Sequence, residues 1–288
     1  METAIKCLYC KKSHYIKWGT RQTQNRGKIQ KFKCLDCGRY FTNDDGFYRM
    51  RNHEDKITQA IDLYFSNLSS RKVRNHFRRH RKENASHVAV LDWCRKYVLK
   101  VTNYINTLQP QLSGQFYADE TEIDCERRND IFWCAIDWGT RYINATHYNT
   151  ITQDLENATE FMKKIRQSKR LPKYITTDAG VFYPTAFKNV FYSRYKEHRI
   201  EHIVINHSKT GKYNVRIETV FSKIKDRVDD FRGLKSLWSA PILLQGIILQ
   251  HNFIEAHTTT NQIPSELAGL KLEIGVNRWL GLIRRSCL

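Results

Sequence analysis

Apolar residues recur at helical spacing over residues 54–107, where Ile57 and Ile61 fall on one face of a helix. Ser69 then precedes a basic helical stretch, and Ser86 is placed to cap a third helix rich in apolar residues. The pattern predicts three short amphipathic helices, of the kind that build helix-turn-helix modules.

A strand-like pattern follows the Pro-, Gly- and Gln-containing stretch 108–115, which is typical of a linker. The predicted strands are Gln115–Ile123, Ile131–Trp138, Tyr142–Thr150, Tyr174–Thr177 and Glu201–Asn206, and the predicted helices are Asp154–Gln167, Pro184–Tyr192 and Tyr213–Asp230. This order, βββ-α-β-α-β-α, is typical of an α/β RNase H-like core, with a mixed five-stranded sheet and flanking helices. The apolar run 240–254 is expected to form a core helix rather than an interface.

Charge narrows the choice of partner. The chain has 48 Lys+Arg against 29 Asp+Glu, a net charge of +19, and such an excess attracts polyanions. Residues 1–113 hold 23 basic and 9 acidic residues, a balance of +14, so we expect this part to grip duplex DNA. The candidate DNA-binding residues of the second helix are Arg71, Lys72, Arg74, Arg78, Arg79 and Arg81. A solvated basic face is the alternative interpretation.

Membrane association is not expected, because no stretch approaches the roughly 20 apolar residues of a spanning helix. The first ten residues also lack the apolar run of a signal peptide, so we expect a cytoplasmic protein.

Four of the eight cysteines are paired by spacing, as Cys7-x2-Cys10 and Cys34-x2-Cys37. Such pairs let four thiolates converge on one tetrahedral ion, and a segment this short has too little core to fold without it. We therefore predict a zinc ribbon with a structural Zn²⁺ in residues 1–50, against the alternative of four free thiols. The aromatic residues of this segment are expected to form its small core rather than a base-stacking platform; they are Tyr15, Trp18, Phe32, Tyr40 and Phe41.

Three acidic residues fall where an RNase H-like core would bring them together. Asp119 lies on the first predicted strand, Asp178 stands where the fourth one ends, and Glu218 lies on the helix that follows the fifth. Clustered carboxylates suit Mg²⁺ or Mn²⁺, and two such ions can activate the attacking oxygen and stabilise the leaving oxygen. Asp137 is a rival for the first position. Strand alternation is expected to turn Glu120 away from Asp119, so Glu120 is not predicted as a ligand.

Several motifs in this order carry a family resemblance: ADET at Asp119, AIDWGTRYI around Asp137, ATEFMKKI, YITTDAGVFYPTAF around Asp178 and NVRIETVFSKIKDRVDDFRGLKS around Glu218. From Phe116 to about Ala268 the chain resembles the catalytic core of DDE transposases of bacterial and archaeal insertion sequences, which belong to the retroviral integrase superfamily. The resemblance implies that Asp119, Asp178 and Glu218 form the metal-binding catalytic triad and that Asp137 is not a ligand.

Further roles follow from the same resemblance. Asn214 would orient Glu218 or contact DNA, and Arg227 and Arg232 would hold phosphate. Asp178 and Glu218 are 40 positions apart, a few more than is common in this superfamily, so the loop 206–212 is expected to be enlarged.

The expected protein has three parts: a zinc ribbon (1–50), a helix-turn-helix module with linker (51–113) and a catalytic domain (114–288). The first two would bind the terminal inverted repeats of a mobile element, and the third would cut and join DNA in a homodimer or larger assembly. A non-catalytic DNA-binding regulator and a structure-specific nuclease of the same fold are the alternatives.

Overall fold

The computed structural model describes residues 5–23, 27–81, 84–150, 153–168, 170–206 and 214–287, so the loop 206–212 lies almost entirely outside the described residues. Its first unit is an antiparallel sheet of β1 (Tyr15–Thr23), β2 (Gly27–Cys34) and β3 (Tyr40–Thr42). Phe32 and Phe41 pair across β2 and β3 and form a small core together with Cys7, Cys34 and the partly buried Tyr15.

Trp18 and Tyr40 do not belong to that core, contrary to the sequence-based expectation. Their side chains are 47% and 45% exposed. Tyr40 pairs with Lys33 in the sheet, one position away from the Phe32–Phe41 pair, and alternation along the strands therefore turns it to the opposite face.

Three helices follow, as predicted: α1 (Glu54–Phe65), α2 (Ser70–His80) and α3 (His87–Ile105). The side chain of Ser69 accepts a hydrogen bond from the Lys72 backbone N–H, and that of Ser86 accepts one from Ala89, so both predicted caps are confirmed. That these helices read DNA as a helix-turn-helix stays a prediction.

The central sheet has the order β6-β5-β4-β7-β8, which confirms the predicted RNase H-like topology. Its strands are β4 (Gln115–Cys125), β5 (Arg128–Asp137), β6 (Tyr142–Asn149), β7 (Tyr174–Asp178) and β8 (Glu201–Ile205). The first three are antiparallel, and β7 and β8 add in parallel on the other side of β4. The turn between β4 and β5 is tighter than expected, because Glu126 and Arg127 both adopt positive φ angles of 52° and 64°.

Helices cover both faces of this sheet. The helices α4 (Leu155–Gln167) and α5 (Tyr183–Phe191) pack on the face that carries Trp133, and α6 (Val215–Asp230) packs against β4 on the other. The predicted core helix is confirmed as α7 (Ala240–Leu249), which is buried against α3 and continues into a π-helical turn, Gln250–Ile254. Two short segments, a 3-10 turn at Lys196–His198 and α8 (Pro264–Leu267), complete the connections.

The last helix, α9 (Arg278–Arg285), packs against α1 and α3. The Trp279 ring stacks on Phe65 at 5.8 Å between centroids, and its Nε1 donates to Gln250 Oε1 at 2.8 Å. Asn277 Nδ2 donates to Thr58 Oγ1, across 219 positions of sequence. The three helices α1–α3 thus share one hydrophobic cluster with the sheet, and the boundary between 51–113 and 114–288 stays a prediction. No helix in the described ranges has the length and apolar character needed to cross a membrane.

Asp137 is held inside the sheet domain by a dense set of hydrogen bonds. It is fully buried at the end of β5, and its carboxylate accepts hydrogen bonds from the backbone N–H and hydroxyl groups of Ser113 and Thr140 and from the Gly114 N–H. These bonds tie the segment before β4 to the β5–β6 turn.

We predict that Asp137→Asn lowers the free energy of unfolding by about 2–4 kcal/mol, because an amide cannot accept all of these bonds and leaves buried donors unpaired. Urea denaturation at neutral pH measures the loss. The control is Asp92→Asn, whose exposed carboxylate pairs only with Arg95 and whose replacement should cost less than about 0.5 kcal/mol. Equal stability of the two variants would contradict the assigned role.

Candidate active site

The site lies where β4 and β7 stop pairing. Parallel bridges join Gln115–Tyr117 of β4 to Tyr174–Thr176 of β7, and none follows. β4 continues for eight more residues along β5 alone, so a gap opens beside it on the β7 side. Asp119 lies just past the last bridge, and Asp178 is the last residue of β7.

Three carboxylates meet in this gap. Asp119, Glu120 and Asp178 each place one oxygen so that all three atoms lie within 4.8 Å of one another. The prediction that Glu120 points away from the cluster is therefore wrong. Alternation itself holds, since Asp119 pairs with Cys134 and Glu120 with Trp133 on opposite faces. Because β4 has no neighbour on this side, the longer Glu120 side chain reaches the gap, where its carboxylate accepts a hydrogen bond from the Tyr183 hydroxyl.

The cluster resists ionisation. Burial raises the pKa of Asp119 to about 8, and the negative charges of Glu120, Asp178 and Glu218 add to the effect against one backbone N–H bond from Glu120. Burial and the charge of Asp178 likewise raise the pKa of Glu120 to about 7, although the Tyr183 hydroxyl opposes the shift. Within the described ranges, no Lys or Arg forms an ion pair with these carboxylates. The missing positive charge fits a divalent cation, for which three oxygen ligands are the appropriate donor set.

Glu218 stands on the first turn of α6 and is exposed. Its charge acts on Asp119, but its carboxylate lies outside the three-oxygen group. The structure thus brings together two of the three predicted catalytic residues and adds Glu120, with Glu218 at the rim.

The first turn of α6 is fixed to β4 by a stacked arginine. The Arg216 guanidinium lies 4.5 Å from the Tyr117 ring centroid and 4.4 Å from that of Trp138, and it donates to the Tyr117 hydroxyl. Asn214 is buried, and its Nδ2 donates to the Ala118 carbonyl at 3.4 Å. Asn214 therefore links the start of α6 to β4, and its predicted contact with DNA stays a prediction. Arg216 and Trp138 stand in two of the motifs that carry the family resemblance, but nothing in their spacing predicts that they stack on each other.

The two arginines expected to hold phosphate differ in their surroundings. Arg227 is buried, with only 7% of its surface exposed, and its Nη2 donates to both carboxylate oxygens of Glu255 at 2.7 and 2.8 Å. The assignment of Arg227 to DNA binding is therefore corrected to an internal ion pair that links α6 to the segment after α7. Arg232 is exposed.

Arg232 shares a cleft of about 650 Å³ with two basic residues of α2, Arg71 and Lys72. Lys235 also lines it, while Asp230 pairs with Lys72 at 3.7 Å. Of the other basic residues predicted to bind DNA, Arg74 is half-buried on α2, Arg78 and Arg79 are exposed on α2, and Arg81 is exposed directly after it. Basic groups from two distant parts of the chain thus face one groove.

The four paired cysteines form a second candidate metal centre. Their sulfur atoms all lie within 4.8 Å of one another, with 3.7 Å between Cys7 and Cys37 and 3.5 Å between Cys10 and Cys34. These distances are too long for disulfides and close to the roughly 3.8 Å that separates thiolates around a tetrahedral zinc ion. The donor set therefore fits a closed tetrahedral site. Cys94, Cys125 and Cys134 are buried and Cys287 is half-buried, away from this cluster.

Comparisons with known proteins agree with this architecture. Residues 113–257 match a family model described as a DDE domain. Solved structures that are distantly similar to this chain include the integrase catalytic core domain of HTLV-2 in complex with magnesium. Its trimeric form has a TM-score of 0.40 and 13% identity, covering 56% of this chain and 97% of that one. The dimeric form has a TM-score of 0.39 and 14% identity, covering 56% and 98%.

A simian T-cell lymphotropic virus intasome in complex with the PP2A regulatory subunit B56 gamma has a TM-score of 0.39 and 12% identity, covering 73% of this chain and 72% of that chain. Among curated protein sequences, none matches. The structural likenesses are loose, so the fold assignment rests on the strand order and on the family match.

We predict that, without divalent cations, the free energy of unfolding falls as pH rises from about 5 to about 8. Asp119 has a folded pKa of about 8 against an ordinary 3.8, so the folded protein keeps a proton that the unfolded chain has lost. Stability is then present below the unfolded pKa and is lost as pH rises through the folded one, by a few kcal/mol at the order-of-magnitude level. Denaturation curves at three pH values measure it, and Asp119→Asn should flatten the trend. A trend that this variant leaves unchanged would contradict the raised pKa.

Proposed function

This chain belongs to the DDE domain family of transposases, and we propose that it cuts DNA at the ends of a mobile element and joins the freed 3′-hydroxyl to target DNA. The observation that carries the proposal is the group of Asp119, Glu120 and Asp178, three carboxylates gathered without a basic partner in the described ranges. Family membership alone supports a nuclease-type enzyme acting on DNA. The dependence on Mg²⁺ or Mn²⁺, strand transfer and the recognition of terminal inverted repeats are parts of the proposal.

Asp119 and Asp178 are proposed to hold the cation, with Glu218 closing the site from the first turn of α6. A divalent cation there would supply Lewis-acid activation of the scissile phosphodiester. The chain's own contribution is to gather and orient these carboxylates: Tyr183 fixes Glu120, and the Arg216 stack fixes the turn that carries Glu218. Neither DNA cleavage nor strand joining needs a covalent enzyme intermediate, so no nucleophilic side chain is assigned.

DNA is proposed to reach the carboxylate cluster along the cleft beside α2, which we call the basic groove. Arg71, Lys72 and Arg232 line the cleft beside α2, and the remaining arginines of α2 extend the positive surface outward. The zinc ribbon and α1–α3 would recognise the element ends. Holding two ends together calls for a homodimer or larger assembly of this chain.

We expect Asp119→Asn, Asp178→Asn and Glu218→Gln each to lower cleavage and strand joining at least about a hundredfold, because each removes one negative charge from the proposed cation site. DNA binding should change less than about twofold, since phosphate contacts need no carboxylate. The measurements are gel assays with Mg²⁺ or Mn²⁺ on the DNA that flanks the gene, alongside binding by anisotropy. A wild-type protein that binds these ends without cutting them would favour a regulator.

Glu120 is tested in the same assay against Glu122. Glu120→Gln should lower DNA cleavage and joining because Glu120 belongs to the cluster. Glu122→Gln should retain both activities, because Glu122 is exposed and accepts a hydrogen bond from Asn129. Full activity of Glu120→Gln would mean that only the other carboxylates act in the reaction.

The ribbon is expected to bind one equivalent of zinc through Cys7, Cys10, Cys34 and Cys37. Cys34→Ser should abolish zinc retention, and Cys287→Ser, a change at a half-buried thiol outside the cluster, should leave it intact. Metal analysis of the purified full chain measures both. Less than about half an equivalent in the wild type would contradict the site.

A further inference from the structure

The first sheet has a face that its own core does not use. β1 to β3 pack Phe32 and Phe41 on one side. On the other side stand Ile16, Trp18, Lys31, Lys33 and Tyr40, which we call the open face of the ribbon. Three of these are apolar or aromatic side chains that remain 40–47% exposed.

The register of the sheet explains why these residues share a face. Ile16 and Tyr40 both pair with Lys33, from the strands on either side of β2. Trp18 lies two residues after Ile16 in β1, so alternation along the strand places it on the same side, where its ring lies beside Lys33. The three strands therefore contribute to one surface.

Aromatic rings and ammonium groups alternate on this surface. The rings of Trp18 and Tyr40 lie 5.7 Å apart between centroids. Lys33 Nζ lies 5.1 Å from the Trp18 centroid and 5.8 Å from that of Tyr40, and Lys31 Nζ lies 5.1 Å from the Tyr40 centroid. Each ring is thus within reach of a cation that can turn to a phosphate.

Charge favours an anionic partner. Residues 1–50 contain 11 Lys+Arg and 4 Asp+Glu, a balance of +7. Rings exposed on a flat sheet can stack with unpaired bases, while neighbouring lysines meet the backbone phosphates. The base pairs of a duplex are already stacked on one another and expose their flat faces only at its ends. A duplex would therefore contact the lysines without stacking on the aromatic rings.

We propose that the open face of the ribbon binds single-stranded DNA, with a base stacked on Trp18 or Tyr40 and adjacent phosphates held by Lys31 and Lys33. The choice of DNA over RNA rests on the proposed function. The stacking surface itself does not depend on the catalytic carboxylates. During strand transfer, such a site would hold a strand that has left its duplex.

The test measures binding of the full chain to fluorescent oligo-dT and to a duplex of equal length, without divalent cations and without a chelator. Trp18→Leu removes the π face, whereas Trp18→Phe keeps one. We expect Trp18→Leu and Tyr40→Ala to weaken oligo-dT binding by roughly five- to a hundredfold and duplex binding by less than about twofold, with Trp18→Phe close to wild type. Tyr192→Ala, a change at a tyrosine that is 70% exposed after α5, is the control and should alter neither.

Salt dependence separates phosphate contact from stacking. Lys33→Ala should flatten the slope of log K against log salt for oligo-dT by about 0.7. Lys17→Ala should leave this slope unchanged, because Lys17 pairs with Phe32 and lies on the other face of the sheet from Lys33. Zinc content equal to that of the wild type shows that each variant is folded.

Three outcomes would overturn the proposal: unchanged oligo-dT affinity in Trp18→Leu and Tyr40→Ala, an equal loss on duplex DNA, or tighter binding of oligo-rU that the same variants abolish. A chain that binds single strands through this face yet cuts no DNA would overturn only the proposed function.

Discussion

The short stretch of pairing between β4 and β7 is the constraint on which the site depends. Three residues of parallel pairing are enough to place β7 beside β4, and the absence of further pairing leaves a gap where side chains from both faces of β4 can meet. Longer pairing would fill that edge with backbone hydrogen bonds and restore strict separation of the two faces. The rest of the domain supports this arrangement: β5 pairs with β4 beyond the last β7 bridge, and α6 packs against β4 on one face of the sheet.

Gathering like charges in the gap is costly, and the protein meets that cost without cationic side chains in the described ranges. The hydroxyl of buried Tyr183 donates a hydrogen bond to Glu120. The backbone N–H groups of Glu120 and Gly180 donate to Asp119 and Asp178. Arginine is used nearby but directed elsewhere: Arg216 stacks on aromatic rings, and Arg227 pairs with Glu255. The result is a pocket of negative potential whose natural complement is a small, exchangeable cation rather than a fixed side chain.

Local patterns in the sequence were sufficient to predict the helices, their serine caps, the order of strands and helices along the chain, and the placement of Asp119 and Asp178 at neighbouring strands. They failed where the environment of a side chain depends on residues that are distant in the sequence. Alternation would separate Glu120 from Asp119 only in a strand with neighbours on both sides. Arg227 resembles a surface phosphate ligand until Glu255, 28 positions later, is placed beside it. Trp18 and Tyr40 look like core residues because composition cannot say which face of a small sheet is covered.

The contact of α9 with α1 sets an order of events during synthesis. Thr58 and Asn277 are 219 positions apart, and a ribosome adding about 5–20 residues per second needs about 10–40 s to travel between them. Until residue 279 has emerged, Phe65 of α1 lacks the ring that stacks on it in the folded protein. The helices beside the basic groove therefore complete their packing only after the central sheet has been synthesised, so a truncated chain that lacks α9 leaves the hydrophobic cluster shared by α1–α3 and the sheet incomplete.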